Sequence, residues 1–364
     1  MIVIINNLFN MKSLRIIIIV IYTCYWFPGY SYSFTESLDY YGFTEEKQKQ
    51  AFQDLLQKAN IIPADKTLEQ VFPPKETKEE LVSDIVKILQ QIHQKFIARS
   101  NTQERWQAKP LEWINYNKKQ ILADLKILGF IDFIGPEQKN IDTFCILGSD
   151  ALEISNRIEY VNSLIKNKTS TKAIILLAGE RYVTKDIDGT EVELKKIANK
   201  FNIADWKKLT ETHLIQNEYS KSTLSNNKNI KIHIIDTPKG DLPRPTTQTT
   251  IIKLIEWLKD HKEIQNIIFV SNQPYVKYQE AMIHTVFKEK NVDIKYEVVG
   301  NTAQDLDELQ SLVEGLGTYL WAKTPLVLAH MNIQIISEEN KQLLKNLYSE
   351  NPLTYRVIPR NLIK

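Results

Sequence analysis

Polar residues that can bind an anion follow short apolar runs at several places in the sequence. Gly148 and Ser149 come directly after the run Phe144–Leu147, and Arg157 lies two turns into the amphipathic stretch that follows. A glycine lets backbone amides approach a ligand, and the start of a helix attracts negative charge. A plain turn in which Ser149 or Asp150 caps the helix explains the same residues. This segment therefore predicts either an anion site or an ordinary strand-to-helix turn.

The second segment places opposite charges after a glycine. Gly179, Glu180 and Arg181 follow the apolar run Ala173–Leu177. A carboxylate and a guanidinium at the end of a strand can bind a phosphate or another polar head group, since both make strong charge-assisted hydrogen bonds. Two solvated loop charges explain the same pattern equally well, so both interpretations stay open.

The third segment, rich in proline and threonine, precedes a helix pattern at 247–261. The prolines fix the approach of the chain, and Arg244 could clamp an anion. Thr247 and Gln248 can offer hydrogen bonds to the same ligand. The threonines also fit a capped helix start with nothing bound, because threonine is a common cap.

The fourth segment follows the apolar run Ile267–Val270 and contains Ser271, Asn272, Gln273, Tyr275 and Lys277. A polar triplet straight after an apolar strand is unusual for a simple connection, and it offers several hydrogen-bond donors and acceptors. The aromatic ring can stack on a ligand, and the lysine adds positive charge. In this segment a functional interpretation is favoured over a structural one.

The elements that must position these residues alternate between two patterns. The apolar runs are Phe144–Leu147, Ala173–Leu177, Ile230–Ile235, Ile267–Val270 and Tyr296–Val299. The helix patterns between and after them are at 151–166, 192–218, 247–261, 276–290 and 305–323. Continuous apolar strands separated by helices predict a three-layer, Rossmann-like α/β domain with a mainly parallel sheet. In such folds ligands bind beyond the carboxyl ends of the strands, where all four segments lie.

The flanking regions differ from this pattern. Residues 34–140 show helical periodicity without strand-like alternation, which predicts an α-helical N-terminal region before the α/β domain at 141–364. A last helix near 338–348 and a strand near 354–358 could close an edge of the sheet. The sequence thus predicts two structural regions behind its first 33 residues.

Residues 1–33 carry the pattern of a secretory signal peptide. The basic residues Lys12 and Arg15 precede the apolar run Ile16–Ile21 and an aromatic stretch to Phe27, and small residues lead up to Ser33. Such a signal would direct the protein to the periplasm or the medium, with cleavage expected after Ser33. An uncleaved anchor is the alternative, although the apolar span is short for a bilayer.

Composition argues against several other classes of protein. A formal net charge of +2 over 364 residues gives no electrostatic case for a nucleic-acid partner. The six histidines are scattered without metal-ligand spacing, so we expect no metal site. Of the two cysteines, Cys24 lies in the proposed signal peptide, and Cys145 lies in an apolar run where a buried, inert thiol is expected. The sequence also lacks a P-loop, a Gly-x-Ser-x-Gly elbow and a Gly-x-Gly-x-x-Gly fingerprint.

Taken together, the segments over about residues 140–302 resemble the YdcF/SanA/ElyC-like family of bacterial proteins. The matching places are Gly148 with Arg157, Ala178–Glu180, Arg244–Thr250, and Ser271 with Tyr275–Gln279. The resemblance implies a Rossmann-like domain and a nucleotide-like or phosphate-linked envelope ligand. Tyr275 stands where the family has a histidine. Thr247 matches the family's threonine, but Gln248 and Thr249 follow it without the expected glutamate, so the usual proton-transfer groups are absent from these motifs.

Two functions remain open from the sequence. In the first, an exported protein binds a small anionic ligand, with charge from Arg157, Arg181, Arg244 and Lys277. Any catalysis would be transfer or hydrolysis at a phosphate or glycosyl centre, and no cofactor can be named. In the second, a non-catalytic secreted protein uses its helical region as a surface for a protein partner.

Overall fold

The computed structural model describes residues 31–97, 107–303 and 309–331. Most of the proposed signal peptide lies outside the described residues. The helix predicted near 338–348 and the strand predicted near 354–358 lie outside them as well.

The five strands of the described residues form one parallel sheet. The strands are β1 Thr143–Leu147, β2 Ala173–Gly179, β3 Lys231–Thr237, β4 Asn266–Asn272 and β5 Lys295–Asn301. Their order across the sheet is β3-β2-β1-β4-β5, and each neighbouring pair is parallel. All five apolar runs are therefore strands, and the predicted Rossmann-like architecture is confirmed.

Helices cover both faces of this sheet and continue into a further layer. They are α1 Phe34–Tyr40, α2 Glu46–Lys58, α3 Leu68–Val71, α4 Lys78–Phe96, α5 Lys118–Ile127, α6 Ala151–Lys166, α7 Glu191–Lys200, α8 Glu211–Lys221, α9 Thr247–Leu258, α10 Val276–Glu289 and α11 Leu309–His330. Helices α6, α7 and α8 share a core with one face of the sheet, and α9 and α10 share a core with the other. No described helix is both long and apolar enough to cross a membrane.

Alternation of side chains along the buried strands divides the interior into these two cores. In β1, Phe144 and Ile146 face the core of α6, while Cys145 and Leu147 face the core of α9 and α10. A strand that is buried on both faces has no polar alternation, which explains why the sequence shows continuous apolar runs. Burial also raises the pKa of the Cys145 thiol well above its ordinary value, as expected for an inert cysteine.

The helix predicted over 192–218 is wrong in one respect, since the chain forms two helices there. Helix α7 ends at Lys200, and Asn202 takes a left-handed backbone with φ of 57°. Asparagine tolerates that conformation better than most residues, so it ends the helix. Thr210 then begins α8 with a capping box that includes His213. This break places the first turn of α8 at the carboxyl edge of the sheet.

The N-terminal helices form their core together with the last described helix. Buried residues from Phe34 to Ile131 share one apolar cluster with residues of α11 from Leu309 to Leu328. Tyr278, Ala281 and Met282 of α10 join the same cluster. Helix α10 therefore packs against the sheet on one side and against the helical layer on the other.

Candidate ligand site at the carboxyl ends of the strands

Strand β1 lies between β2 and β4, and the chain connects it to β2 first and to β4 only later. Where the strand order reverses in this way, a crevice is expected between the carboxyl ends of the two strands, here β1 and β4. Arg157 of α6 lies in this position and is only 2% exposed. Its Nη1 donates to the carbonyls of Leu147 and Gly148, both at 2.7 Å. Its Nε donates to Asn272 Oδ1 at 2.8 Å, and its Nη2 donates to the same oxygen. Arg157 thus connects the carboxyl ends of β1 and β4 through hydrogen bonds.

Glu211, which the sequence analysis did not identify, lies over the ends of β1 and β2. Gly179 N donates to Glu211 Oε2 at 3.1 Å. A Cβ atom at Gly148 would fall 2.5 Å from Glu211 Cδ, so a side chain there would displace the carboxylate. Gly148 therefore makes room for this carboxylate, and Gly179 offers it a backbone N–H.

Local pairing of the chain aims Glu211 at the sheet. Glu211 N donates to Arg181 O at 2.8 Å, and Val183 N donates to Leu209 O at 3.1 Å, so the segment after β2 runs beside the segment before α8. At the start of α8, Thr210 N donates to His213 Nδ1 at 3.0 Å. This capping contact fixes the first turn of the helix, and the carboxylate of its first residue then faces the strand ends.

Arg181 is committed to an internal network and is 7% exposed. Its Nη1 and Nη2 donate to the two carboxylate oxygens of Asp188, each at 2.9 Å. Its Nη2 also donates to Ser149 O at 3.0 Å, and its Nε donates to Glu211 Oε1 at 3.5 Å. Arg181 therefore joins the turn after β1 to the loop after β2 and to the carboxylate between them.

The electrostatics of this edge centre on Glu211. Burial raises the pKa of Glu211 above its ordinary value. The positive charges of Arg181, Arg244 and Arg157 and the hydrogen bond from Gly179 N lower the pKa, but they do not cancel the effect of burial. Three of the predicted site arginines thus act on one carboxylate, which is the arrangement expected of a convergent polar site.

The loop before α9 forms another wall of the site. Thr246 caps α9, since Thr249 N donates to Thr246 Oγ1 at 3.1 Å. A Cβ at Gly179 would meet Pro245 Cγ at 2.6 Å, so this loop packs directly on the end of β2. Glu180 Oε2 accepts a hydrogen bond of 3.1 Å from Lys239 N and holds the start of the same loop. The loop is thereby fixed against β2.

The exposure of the remaining residues shows where a ligand can reach. Gly148, Ser149, Glu180, Arg244 and Thr247 are half-buried, and the side chain of Glu211 is 15% exposed. Gln248 is buried. The hydroxyl of Thr237, at the end of β3, is buried without a hydrogen-bond partner among the described residues. The open part of the site therefore runs from the turn after β1 across Glu211 to the loop that carries Arg244.

The fourth predicted segment turns away from this opening. The hydroxyl of Ser271 donates to Asn272 O at 3.3 Å, and Tyr275 N donates to the same carbonyl at 2.9 Å. Gln273 Nε2 donates to Asp132 O at 2.8 Å and to Gly129 O at 3.2 Å. The segment's contacts with the helical layer thus begin at Gln273.

Lys277 is also bound to the helical layer. Its Nζ donates to Leu128 O at 2.7 Å and lies 5.8, 5.3 and 5.9 Å from the ring centres of Phe43, Phe130 and Tyr319. Burial lowers the pKa of Lys277. Of the residues predicted in the fourth segment, Asn272 meets Arg157 at the crevice, whereas Gln273 and Lys277 face the helical layer.

Within the described ranges, no group of three or more His, Cys, Asp or Glu side chains is placed to hold a metal ion. Neither a protein-family model nor a curated protein matches the sequence. Among solved structures, a crystal structure of FtsY from Mycoplasma mycoides is similar at 11% identity and a TM-score of 0.25. That match covers 84% of this chain and 96% of the FtsY chain. A likeness this slight has no bearing on fold or function.

Proposed function

We propose that the protein binds a small anionic ligand at the carboxyl ends of β1, β2 and β3. The observation that carries this proposal is that Arg157, Arg181 and Glu211 meet at the ends of β1 and β2. Arg157 donates to Gly148 O, Arg181 donates to Ser149 O and Glu211 Oε1, and Gly179 N donates to Glu211 Oε2. The resemblance to the YdcF/SanA/ElyC-like family supports a nucleotide-like or phosphate-linked envelope compound as the ligand. Rossmann-like folds bind such molecules beyond the carboxyl ends of their strands.

Arg244 is the positive group best placed for direct contact with the ligand. It is half-buried on the loop before α9, whereas Arg157 and Arg181 are buried. In this proposal the two buried arginines contribute through their charge. Ser149 and Thr247 add hydrogen bonds at the starts of α6 and α9, where helix dipoles favour an anion.

A ligand screen by thermal shift tests this function. The panel contains nucleotides, S-adenosylmethionine, sugar phosphates and short polyprenyl phosphates. A ligand that binds only the folded state stabilises it by about 2.7 kcal/mol at a hundredfold excess over its dissociation constant. We expect Arg244→Ala to weaken binding at least roughly tenfold, since a hydrogen bond to a charged group contributes about 1.5–3 kcal/mol.

Lys253→Ala is the matched control for Arg244, because Lys253 lies on α9 and pairs with Glu256 at the surface, 3.0 Å away. This variant should bind as the wild type does. If no compound in the panel shifts the melting temperature, or if both variants bind equally, the proposed site is wrong. Partner capture on the helical region would then become the better explanation.

We also propose that the chain is exported and that its signal peptide is removed before Tyr32. The backbone N–H groups of Tyr32 and Lys75 donate to each other's carbonyls, at 2.8 and 2.9 Å, and Ser33 Oγ accepts from Glu36 N at 3.4 Å. A cut after Ser33 would remove these contacts, whereas a cut after Ser31 keeps them. Gly29 and Ser31 then supply the small residues that signal peptidases require.

Mass spectrometry of the protein recovered from a bacterial periplasm gives the first residue of the mature chain. We expect Tyr32. A chain that begins at Phe34 would support export with the cut after Ser33. A chain that keeps residues 1–30 would contradict the proposal of a cleaved signal.

A further inference from the structure

The carboxylate of Glu211 lies in the site that we propose for an anionic ligand. Its carboxylate lies over the ends of β1 and β2, within reach of Gly179 N at 3.1 Å and of Arg181 Nε at 3.5 Å. A phosphate set directly beside an ionised carboxylate would be repelled by it. With Glu211 ionised, the ligand would therefore meet it with a part that is not its anionic group.

The hydrogen bonds of Glu211 leave acceptor capacity on the carboxylate. Oε2 accepts from one backbone amide, and Oε1 accepts one long contact from Arg181, whose two terminal nitrogens are committed to Asp188. An ionised carboxylate offers about four acceptor positions. The side chain is 15% exposed at the open edge of the site, so a ligand can reach it.

Positive charge for the anionic group lies on the loop before α9. Arg244 acts on Glu211 by its charge and sits on the loop that packs over Gly179 through Pro245. The site thus presents an acceptor from α8 and a cation from the loop before α9. A molecule with donor groups a short distance from a phosphate matches both.

We propose that Glu211 accepts hydrogen bonds from ligand hydroxyl groups while Arg244 holds the ligand's phosphate, so that the site selects polyhydroxylated phosphates such as nucleotides and sugar phosphates. This inference rests on the proposed function and narrows its ligand class. Carboxylates at the carboxyl edge of a parallel sheet bind sugar hydroxyls in dinucleotide-binding folds, and the same physical reason applies here. A buried acceptor discriminates strongly, because an analogue without the hydroxyl leaves it unpaired.

Matched ligand pairs test this selection. AMP and 2′,3′-dideoxy-AMP differ only in two hydroxyls, as glycerol 3-phosphate and propyl phosphate do. Dissociation constants are measured by calorimetry for the wild type, Glu211→Gln and the control Glu218→Gln, which alters a carboxylate two turns along α8 that pairs with Lys221. The wild type should prefer the hydroxylated member of a pair at least about tenfold, which is the effect of one lost charged hydrogen bond. Glu211→Gln should reduce that preference to about threefold or less.

Circular dichroism establishes that each variant is folded before binding is measured. The inference is supported if the wild type and Glu218→Gln prefer the hydroxylated ligands and Glu211→Gln loses that preference. If Glu211→Gln instead raises the affinity for all four probes equally, Glu211 only repels anions and the inference is overturned.

The two proposals fail in distinguishable ways. If probes bind in a manner that depends on Arg244 but without preference for hydroxyls, the inference on Glu211 is wrong and the anion site stands. If no phosphate in the thermal-shift panel and none of the four probes binds at 10 mM, about ten times a weak millimolar dissociation constant, the anion site is wrong and the inference falls with it.

Discussion

Replacing Arg157 by methionine is expected to lower the free energy of unfolding by about 3–5 kcal/mol. The substitution fills a similar volume but leaves two carbonyls, of Leu147 and Gly148, and the side-chain oxygen of Asn272 without their donors. Each unsatisfied buried acceptor costs about 1–3 kcal/mol. Because a whole domain is stable by only about 5–15 kcal/mol, urea unfolding followed by circular dichroism should show the loss clearly.

Lys166→Met is the control for this substitution, since Lys166 is exposed at the other end of α6. It should change the free energy of unfolding by no more than about 0.5 kcal/mol. In a double-mutant cycle, Asn272→Ala should cost much less in the Arg157→Met background than in the wild type. A cost for Arg157→Met no larger than that of the control would mean that Arg157 does not hold β1 to β4.

The second large effect is expected for Asp188→Ala, which should also cost about 3–5 kcal/mol. The side chains of Arg181 and Asp188 are 8% and 0% exposed, and two hydrogen bonds of 2.9 Å join them. Removal of the carboxylate leaves a buried guanidinium without its main partner, and Thr184 N also loses its 2.7 Å acceptor. Urea unfolding of the variant and the wild type measures the difference.

Glu256→Gln serves as the matched control, because it breaks an exposed pair with Lys253. Exposed ion pairs contribute about 0–1 kcal/mol, so a small change is expected. If Asp188→Ala and Glu256→Gln cost the same, the ion pair of Arg181 does not stabilise the fold. Added salt should leave the larger effect nearly unchanged, since buried pairs are poorly screened.

The sheet was predictable because parallel strands buried on both faces need continuous apolar runs. The run at Phe144–Leu147, for example, supplies side chains to two separate cores. The site was predictable only in part. Gly148, Arg157, Gly179 and Arg181 meet at the strand ends, yet the sequence does not show that Arg157 and Arg181 point inward to carbonyls and to Asp188.

Glu211 was missed because the two helices at 191–221 were predicted as one, which placed this residue in the middle of a helix. The signals of a break were present in Asn202, which tolerates a left-handed backbone, and in Thr210, which can begin a new helix. Lys277 was assigned to the ligand by its place in the chain. The aromatic rings that surround it come from residues far away in sequence, so no local pattern reveals them.

The core shared by the N-terminal helices and α11 has a consequence for the order of synthesis. The ribosome makes residues 34–131 early, but the helix that completes their core appears only after the whole sheet has been made. Until then the part of this core that α11 covers stays exposed, as in incomplete domains. Under the proposed export, this delay would favour an unfolded leading part, which is the state that a translocation channel accepts.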